Sequence, residues 1–515
     1  MERQDVKAVN TGAKAQGLPL YSKRSKIFPK RASGEFRRLK WIIMLVTLGI
    51  YYITPWLRWD RGAYAPDQAV LIDMAHRRFY FFFIEIWPQE FFYVAGLLVM
   101  AGVGLFLVTS VVGRAWCGYT CPQTVWTDLF IAVEGFFEGD RNARIKLDAS
   151  PWSFRKLRLR VAKHIVWVLI AVATGGAWIF YFADAPTLLK NFFIGQAPFV
   201  AYATVGILTA TTYVFGGLMR EQVCIYMCPW PRIQAAMLDE DSLVVTYNDW
   251  RGEPRSHGAK KTAAQGIVAG DCVDCNACVA VCPTGIDIRD GQQLECITCA
   301  LCIDACDAVM EKIERPKGLI SYSTLRDYNH NKALAKDPTT GELSPKLIRD
   351  DKGAFISNVR HFDWHILFRL RTFIYIGLWS AIGLAMLYFL LTRDRLQLNV
   401  QHDRNPLFVQ LSDGSIRNGY TIKILNMIPE PRRIKIAIDG LPGAQISIAE
   451  MPEMRGRSAD LEVEPDKLRS IHLFVSQPAQ MLAKGQATFS ILANDSQSFE
   501  HDTYAAQFDV PEAKK

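Results

Sequence analysis

Apolar residues fall along the 515-residue chain in long unbroken runs first and in short alternating runs last. Five runs approach the roughly 20 residues a helix needs to cross a bilayer. They cover about residues 41–57, 91–113, 164–183, 197–219 and 372–392. The first is short and closes on Pro55, Trp56 and Leu57. Between the first two spans, the aromatic run Phe79–Ile86 carries Glu85 and precedes Pro88, which predicts an interfacial segment leading into span two. Beyond residue 394 the period changes to that of strands. Such runs recur at Leu396–Val400, Thr421–Leu425, Arg433–Ile438, Gln445–Ile448, Leu461–Val463, Ile471–Val475, Thr488–Leu492 and Thr503–Val510, with turns such as Asp439–Gly440 and Asn494–Asp495 between them. This pattern predicts an immunoglobulin-like β-sandwich held by sheet packing, since it contains no cysteine.

Loop charge orients the spans. The first 40 residues are basic and read as a mobile tail, and the 114–163 loop carries Arg114, Arg141, Arg144, Lys146, Arg155, Lys156, Arg158 and Arg160. The 58–90 and 184–196 loops lack that excess. The positive-inside rule therefore expects the N-terminus, the 114–163 loop and the long 220–365 segment in the cytoplasm, and the C-terminal domain in the periplasm of a bacterial inner membrane. The expected division is a basic tail at 1–40, four spans at 41–239, a ferredoxin-type domain at 240–320, a cytoplasmic linker at 321–365, a fifth span at 366–393 and the immunoglobulin-like domain at 394–515. A mean hydropathy of +0.06 agrees with such a mixture of spans and soluble domains. The net charge of +8 does not require nucleic acid as a partner, because the bases crowd beside the spans, where topology accounts for them.

All twelve cysteines lie between Cys117 and Cys306, in four clusters. Short clustered spacings indicate metal ligation in a reducing compartment rather than a disulfide framework. Cys272, Cys275, Cys278 and Cys282 give C-x2-C-x2-C-x3-C-P, and Cys296, Cys299, Cys302 and Cys306 repeat the spacing. This is the bacterial two-cluster ferredoxin arrangement, in which the fourth cysteine of each run serves the other cluster. The expected ligand sets for two 4Fe-4S clusters are therefore Cys272, Cys275, Cys278 and Cys306, and Cys296, Cys299, Cys302 and Cys282. Zinc ribbons use separated pairs instead of runs of four.

The other cysteines form an internal repeat, C-x-Y-x-C-P, as Cys117/Cys121 with Pro122 and Cys224/Cys228 with Pro229. Each follows an even-numbered span. Proline suits the first helical position, so new helices are expected at Pro122 and Pro229, with Cys121 and Cys228 at their N-termini, where the dipole favours thiolate. The helix from Pro122 to Phe137 is amphipathic enough to lie along the membrane. Four thiolates at one face suit a soft metal: copper(I), zinc or another iron–sulfur centre, with Met219 or Met227 as an added thioether. Trp116, Tyr119, Trp126, Tyr226 and Trp230 are expected in an aromatic belt, and His164 reads as an interfacial structural residue.

The chain resembles, over essentially its whole length, the cytochrome c oxidase accessory protein family known as CcoG, FixG or RdxA. The resemblance rests on WCGYTCPQTVWTD at 116–128, VCIYMCPWPRIQ at 223–234, DCVDCNACVAVCPTGIDIRDG at 271–291, LECITCALCIDACD at 294–307 and DRNPLFVQLSDGSIRNGYTIKI at 403–424. It implies a cupric reductase that converts Cu(II) to Cu(I) for assembly of a cbb3-type oxidase, with Cys117, Cys121, Cys224 and Cys228 handling the copper. Oxidase subunits, copper chaperones or transporters and an unidentified electron donor are the implied partners, beside membrane lipid. Two other readings stand beside it: a quinol-linked electron-transfer subunit, and a non-enzymatic assembly scaffold.

Overall fold

A computed structural model of the chain describes residues 26–256, 269–339, 341–350, 355–360, 363, 368–482, 485–498 and 500–511. Among the described residues, five helices are long and apolar enough to cross a membrane: Glu35–Trp56, Pro88–Val112, Phe154–Ile179, Phe199–Met219 and Leu370–Thr392. Each overlaps one apolar run, and the differences lie at the ends. The third begins at Phe154 rather than near 164, because its first turns are basic but partnered: Lys156 donates to the Asp148 and Ser150 carbonyls, Arg160 pairs with Glu138 and Asp148, and buried Lys163 pairs with Glu134 and Glu138. The loop expected over 184–196 is mostly a helix, Ala185–Ile194. Asp184 starts it by accepting from the Thr187 N–H at 3.1 Å, and Gly195 ends it at φ +84°.

The chain divides into two units. The first comprises Met1–Tyr52, Ala101–Ile179 and Pro198–Leu378. Its helix Pro122–Phe137 has the predicted bounds, yet Thr124, Val125, Asp128, Phe130 and Glu134 are buried, so protein covers that face. Glu134 gathers Arg144 at 3.0 Å, Lys163 at 3.3 Å and Arg220 at 2.8 Å. Burial alone would raise its carboxyl, but these cations hold it at about 2.

The mobile-tail expectation needs correction after Lys26; residues 1–25 lie outside the described residues. Lys30 N–H donates to the Ala280 carbonyl at 2.7 Å. The Asp304 carboxylate, between two cluster-run cysteines, accepts from Phe36 N–H at 3.2 Å and Arg37 N–H at 2.7 Å. A helix start leaves such donors without intrahelical partners, and Asp304 supplies acceptors from a distant part of the chain. Gly34 makes the approach possible: a Cβ there would lie 2.2 Å from Asp304 Cγ. The segment expected as a linker carries helix Leu325–Ala335, and Ala335, Ile348 and Val359 form a small core with Trp250.

The second unit comprises Ile53–Met100, Phe180–Ala197 and Trp379–Lys515. Here the segment Phe79–Ile86 is mostly strand. Val70–Asp73, Arg78–Phe81 and Ile84–Ile86 form a three-stranded antiparallel sheet, as suits consecutive aromatic residues. Beyond residue 394 all eight expected strands are present, joined by Val409–Gln410 and Met451–Gly456. One sheet orders Met451–Gly456, Gln445–Ile448, Leu468–Gln477, Ile416–Asn426 and Leu396–His402, with Val409–Gln410 paired to Ile416–Asn426. The other orders Ser458–Val463, Arg432–Asp439, Ala487–Asp495 and His501–Phe508. Ile422, Ile424 and Leu473 of the first share one buried core with Ile434, Ile436, Phe489 and Ile491 of the second.

Candidate iron–sulfur and thiol sites

The two cysteine runs take the same backbone path. Asp274 and Asn276 flank Cys275 at φ +50° and +57°, and Thr298 and Ala300 flank Cys299 at +57° and +59°. Paired left-handed residues curl each loop, a conformation that persists only where the surroundings hold it; in the first, Cys272 and Cys278 are buried and Cys275 is exposed. Arg289 supports the first loop by pairing with Asp274 and donating to Asn276 Oδ1 at 2.5 Å. Short helix Ala277–Val281 follows the first loop and Leu301–Lys312 the second.

Electrostatic coupling links the two runs. Cys306 feels the charge of Cys278, Asp307, Cys272 and Cys275. Cys302 interacts with Cys299, Cys296 and Cys282, and more weakly with Cys278. Cys278, Cys282, Cys296, Cys299 and Cys302 also line a common cavity with Val245 and Ile288. Burial pushes the Cys278 and Cys299 thiols up to about 11, and Cys306 upward as well. Such thiols ionise only when a metal takes the place of the proton. Among the described residues, no three His, Cys, Asp or Glu side chains converge on the point a single ion would occupy. Five sulfurs around one cavity whose other lining residues are mostly apolar are a donor set that fits a polynuclear iron–sulfur group.

The repeat cysteines are built less symmetrically than expected. Cys117 sits in the short helix Ala115–Tyr119, and Cys121 caps helix Pro122–Phe137, as the proline predicts. In the second copy the fourth span widens into a π-turn over Tyr213–Met219. A second π-turn, Val223–Met227, carries Cys224 and closes with Cys228 N–H donating to the Val223 carbonyl at 2.8 Å. The next helix is Trp230–Met237 with Pro229 as its cap, so Cys228 stands one residue outside the expected cap. The wide turns shift the register, and π-turns of this kind frequently mark functional positions. Even so, Cys224 feels the charge of Cys121, Cys117 and Cys228, and Cys117 that of Cys121 and Cys228; among the described residues no three of these sulfurs converge on one ion's position. Burial pushes Cys117 to about 11 and Cys224 to about 12.

The thiol site touches the second cysteine run. Cys117 belongs to one buried cluster with Val281, Ile297, Cys299 and Leu301. A Cβ on Gly118 would stand 2.7 Å from the Ile297 carbonyl oxygen and 3.0 Å from Cys299 Cα, so glycine permits this contact. Tyr119 O–H donates to the Cys299 carbonyl at 3.2 Å, which removes Tyr119 from the expected aromatic belt. Trp126 is also engaged internally, with Nε1 donating to Thr174 at 2.9 Å, whereas Trp116 and Tyr226 are exposed. Met227 is exposed, and His164 pairs with Tyr213 at 2.9 Å. Fully buried Gln234 accepts from the Cys117 thiol at 2.9 Å and donates to Thr109 at 3.1 Å. Gln234 and Asp304 carry no signal in the sequence that predicts these contacts, whereas Gly118 lies inside the repeat motif.

Residues 219–325 match a family described as a 4Fe-4S dicluster domain, and residues 94–139 another described as a 4Fe-4S binding domain. Residues 386–511 match the IG-like fold at the C-terminal of FixG. The nitrogen fixation protein FixG of Rhizobium meliloti is 66% identical over 511 residues, which cover 99% of this chain and 97% of the relative. The chain belongs to the FixG family. Protein RdxB of Cereibacter sphaeroides is 55% identical over 442 residues, 86% of this chain and 88% of the relative. A crystal structure of a FixG-related protein from Vibrio parahaemolyticus matches 22% of this chain and 96% of its own, at 18% identity and a TM-score of 0.20, too low to carry an argument. Membership in this family makes the chain an oxidoreductase-like iron–sulfur protein with two distinct 4Fe-4S binding regions, an Ig-like C-terminal domain and a multi-pass apolar region. The 94–139 match contains only Cys117 and Cys121, so a full set of four thiolates there needs sulfur from another segment.

Proposed function

We propose that the chain is a membrane-bound electron-transfer protein that reduces Cu(II) to Cu(I) at Cys117, Cys121, Cys224 and Cys228, for assembly of a cbb3-type cytochrome c oxidase. Cys272, Cys275, Cys278 and Cys306 hold one 4Fe-4S cluster in this reading, and Cys282, Cys296, Cys299 and Cys302 the other. When bound, the clusters supply electrons one at a time. The carrying observation is the burial of Cys117 and Cys299 in one packed cluster, with Gly118 against the Cys299 backbone. Copper(II) gains one electron and no bond to carbon or oxygen changes. Soft thiolates favour the product ion, so the four sulfurs bias the reaction forward. Burial keeps the free thiols protonated, so copper binding releases protons as the thiolates form. By loop charge the cysteines face the cytoplasm and the C-terminal domain the periplasm, where it is free to meet an oxidase subunit or a copper carrier.

The test uses the purified full chain, reduced without oxygen and mixed with Cu(II), with Cu(I) followed by a chelating dye. Replacing Cys117, Cys121, Cys224 and Cys228 by serine is expected to abolish rapid Cu(I) formation while the iron content holds. Unchanged Cu(I) formation in the four-serine chain sinks the proposal. A second reading follows from the match at 94–139: the four thiols hold a third iron–sulfur centre. Iron analysis separates the two, since two cubanes give about eight irons per chain and three give about twelve.

A further inference from the structure

We propose that Arg114 is a positioning residue that couples the thiol site to the second cysteine run, its buried cation stabilising added negative charge on either side. The inference rests on the placement of Cys117 and Cys296 proposed above. Arg114 stands where the second span gives way to the short helix that carries Cys117, and only 4% of it is exposed. Its Nη1 donates to the carbonyl of Leu294, two positions before Cys296. With Gln293, Leu294, Cys296 and Thr298 it lines a cavity of ≈ 690 Å³. Its Nε has no hydrogen-bond partner among the described residues.

A buried guanidinium ordinarily answers a carboxylate. This one donates to a carbonyl; of the acidic residues that share its cavity, Asp239 and Glu240, the first is already paired with Arg369 and Arg371. Arg114 caps the short helix that carries Cys117, three positions on, and it shares a cavity wall with Cys296. An iron–sulfur group gains negative charge when reduced, and so does a copper–thiolate site. A cation between them stabilises the electron in either place, which keeps the energy change of the transfer small. In that transfer one electron is lost at the iron–sulfur group held by Cys296 and one is gained by copper(II). No bond to Arg114 forms or breaks, and no proton moves at Arg114, because guanidinium stays charged.

Redox titration of the full-length, cluster-loaded protein, followed by electron paramagnetic resonance, tests the proposal. R114Q is expected to move the potential of one cluster to lower values and leave the other in place, whereas R114K, which keeps the charge, stays close to the unmodified chain. Two unmoved potentials in R114Q overturn the inference, as does an R114K shift equal to that of R114Q. If R114Q loses iron, the unmodified chain decides. Filling its thiols with Cu(I) is expected to shift that same single cluster, and no shift in a chain shown to hold Cu(I) overturns the coupling. Failure of Cu(I) to bind at all is a different outcome: it removes the copper reading, while the R114Q and R114K titrations still judge the charge at Cys296.

Discussion

Gln234 lies six residues beyond Cys228 in the chain, yet it bonds to the sulfur of Cys117 in the other copy of the repeat. Its other end donates to Thr109 on the second span, so a single amide ties the two repeat units together. Gln234→Met keeps the volume and removes both bonds. The expected cost is about 1–2 kcal/mol, the range for losing a buried hydrogen bond without leaving a charge, and it appears as a lower melting temperature in detergent. Cu(I) retention, measured by competition with a chelator, is expected to weaken in the same variant. Unchanged melting and retention would mean that the amide orients nothing. Gly118 and Gly34 act by a different route. Each admits a neighbour where any side chain would collide, and each contact partner belongs to the second cysteine run.

Among the elements, the three-stranded sheet of the second unit carries a charge arrangement that responds to pH. Arg78 stands 3.4 Å from Glu85 and 3.5 Å from Asp466, and its guanidinium lies 3.8 Å from the Trp87 ring centre. One cation thus faces two buried carboxylates. Burial first, and repulsion from Asp466 second, raise Glu85 to about 7, against the pull of Arg78 and Arg393. The folded chain therefore holds a proton there that the unfolded chain releases near 4.5. This contribution to stability is complete below about 4.5 and falls as pH rises, until it is gone above about 7. Thermal unfolding followed across that window is expected to show the decline, and Glu85→Gln to flatten it. An equal slope in both chains would place the titrating group elsewhere. Glu134 is the opposite case: three cations hold it ionised, so its contribution persists until pH falls from 4.5 toward about 2.

For the molecule as a whole, the proposed topology is open to direct labelling. Lys467 in the C-terminal domain and Lys317 after the second cysteine run are both well exposed. A membrane-impermeant maleimide added to spheroplasts is expected to label K467C at once and K317C only after permeabilisation, with the unmodified chain as the background. The reverse pattern would invert the orientation drawn from loop charge. Much of this architecture is legible in the chain because it depends on local rules. Twenty apolar residues in a row have few alternatives to a membrane helix, alternating residues after 394 have few alternatives to strands, and C-x2-C-x2-C-x3-C spacing bends one loop around several metal corners. Proline after Cys121 sets a helix start for the same local reason. Where expectation and structure part, the cause is a distant partner in some places and local backbone geometry in others. Asp304 draws the basic tail onto the cysteine runs, Cys299 takes Tyr119 out of the membrane belt, and π-turns move Cys228 off its helix cap. The sequence by itself determined the five apolar spans and the strands after residue 394, since each follows from neighbours within a few positions. Only the tertiary structure decided that Cys117 packs in one core with Cys299 and that Arg114 reaches the Leu294 carbonyl, because these partners are some 180 positions apart and contacts at that separation leave no periodic mark on a sequence.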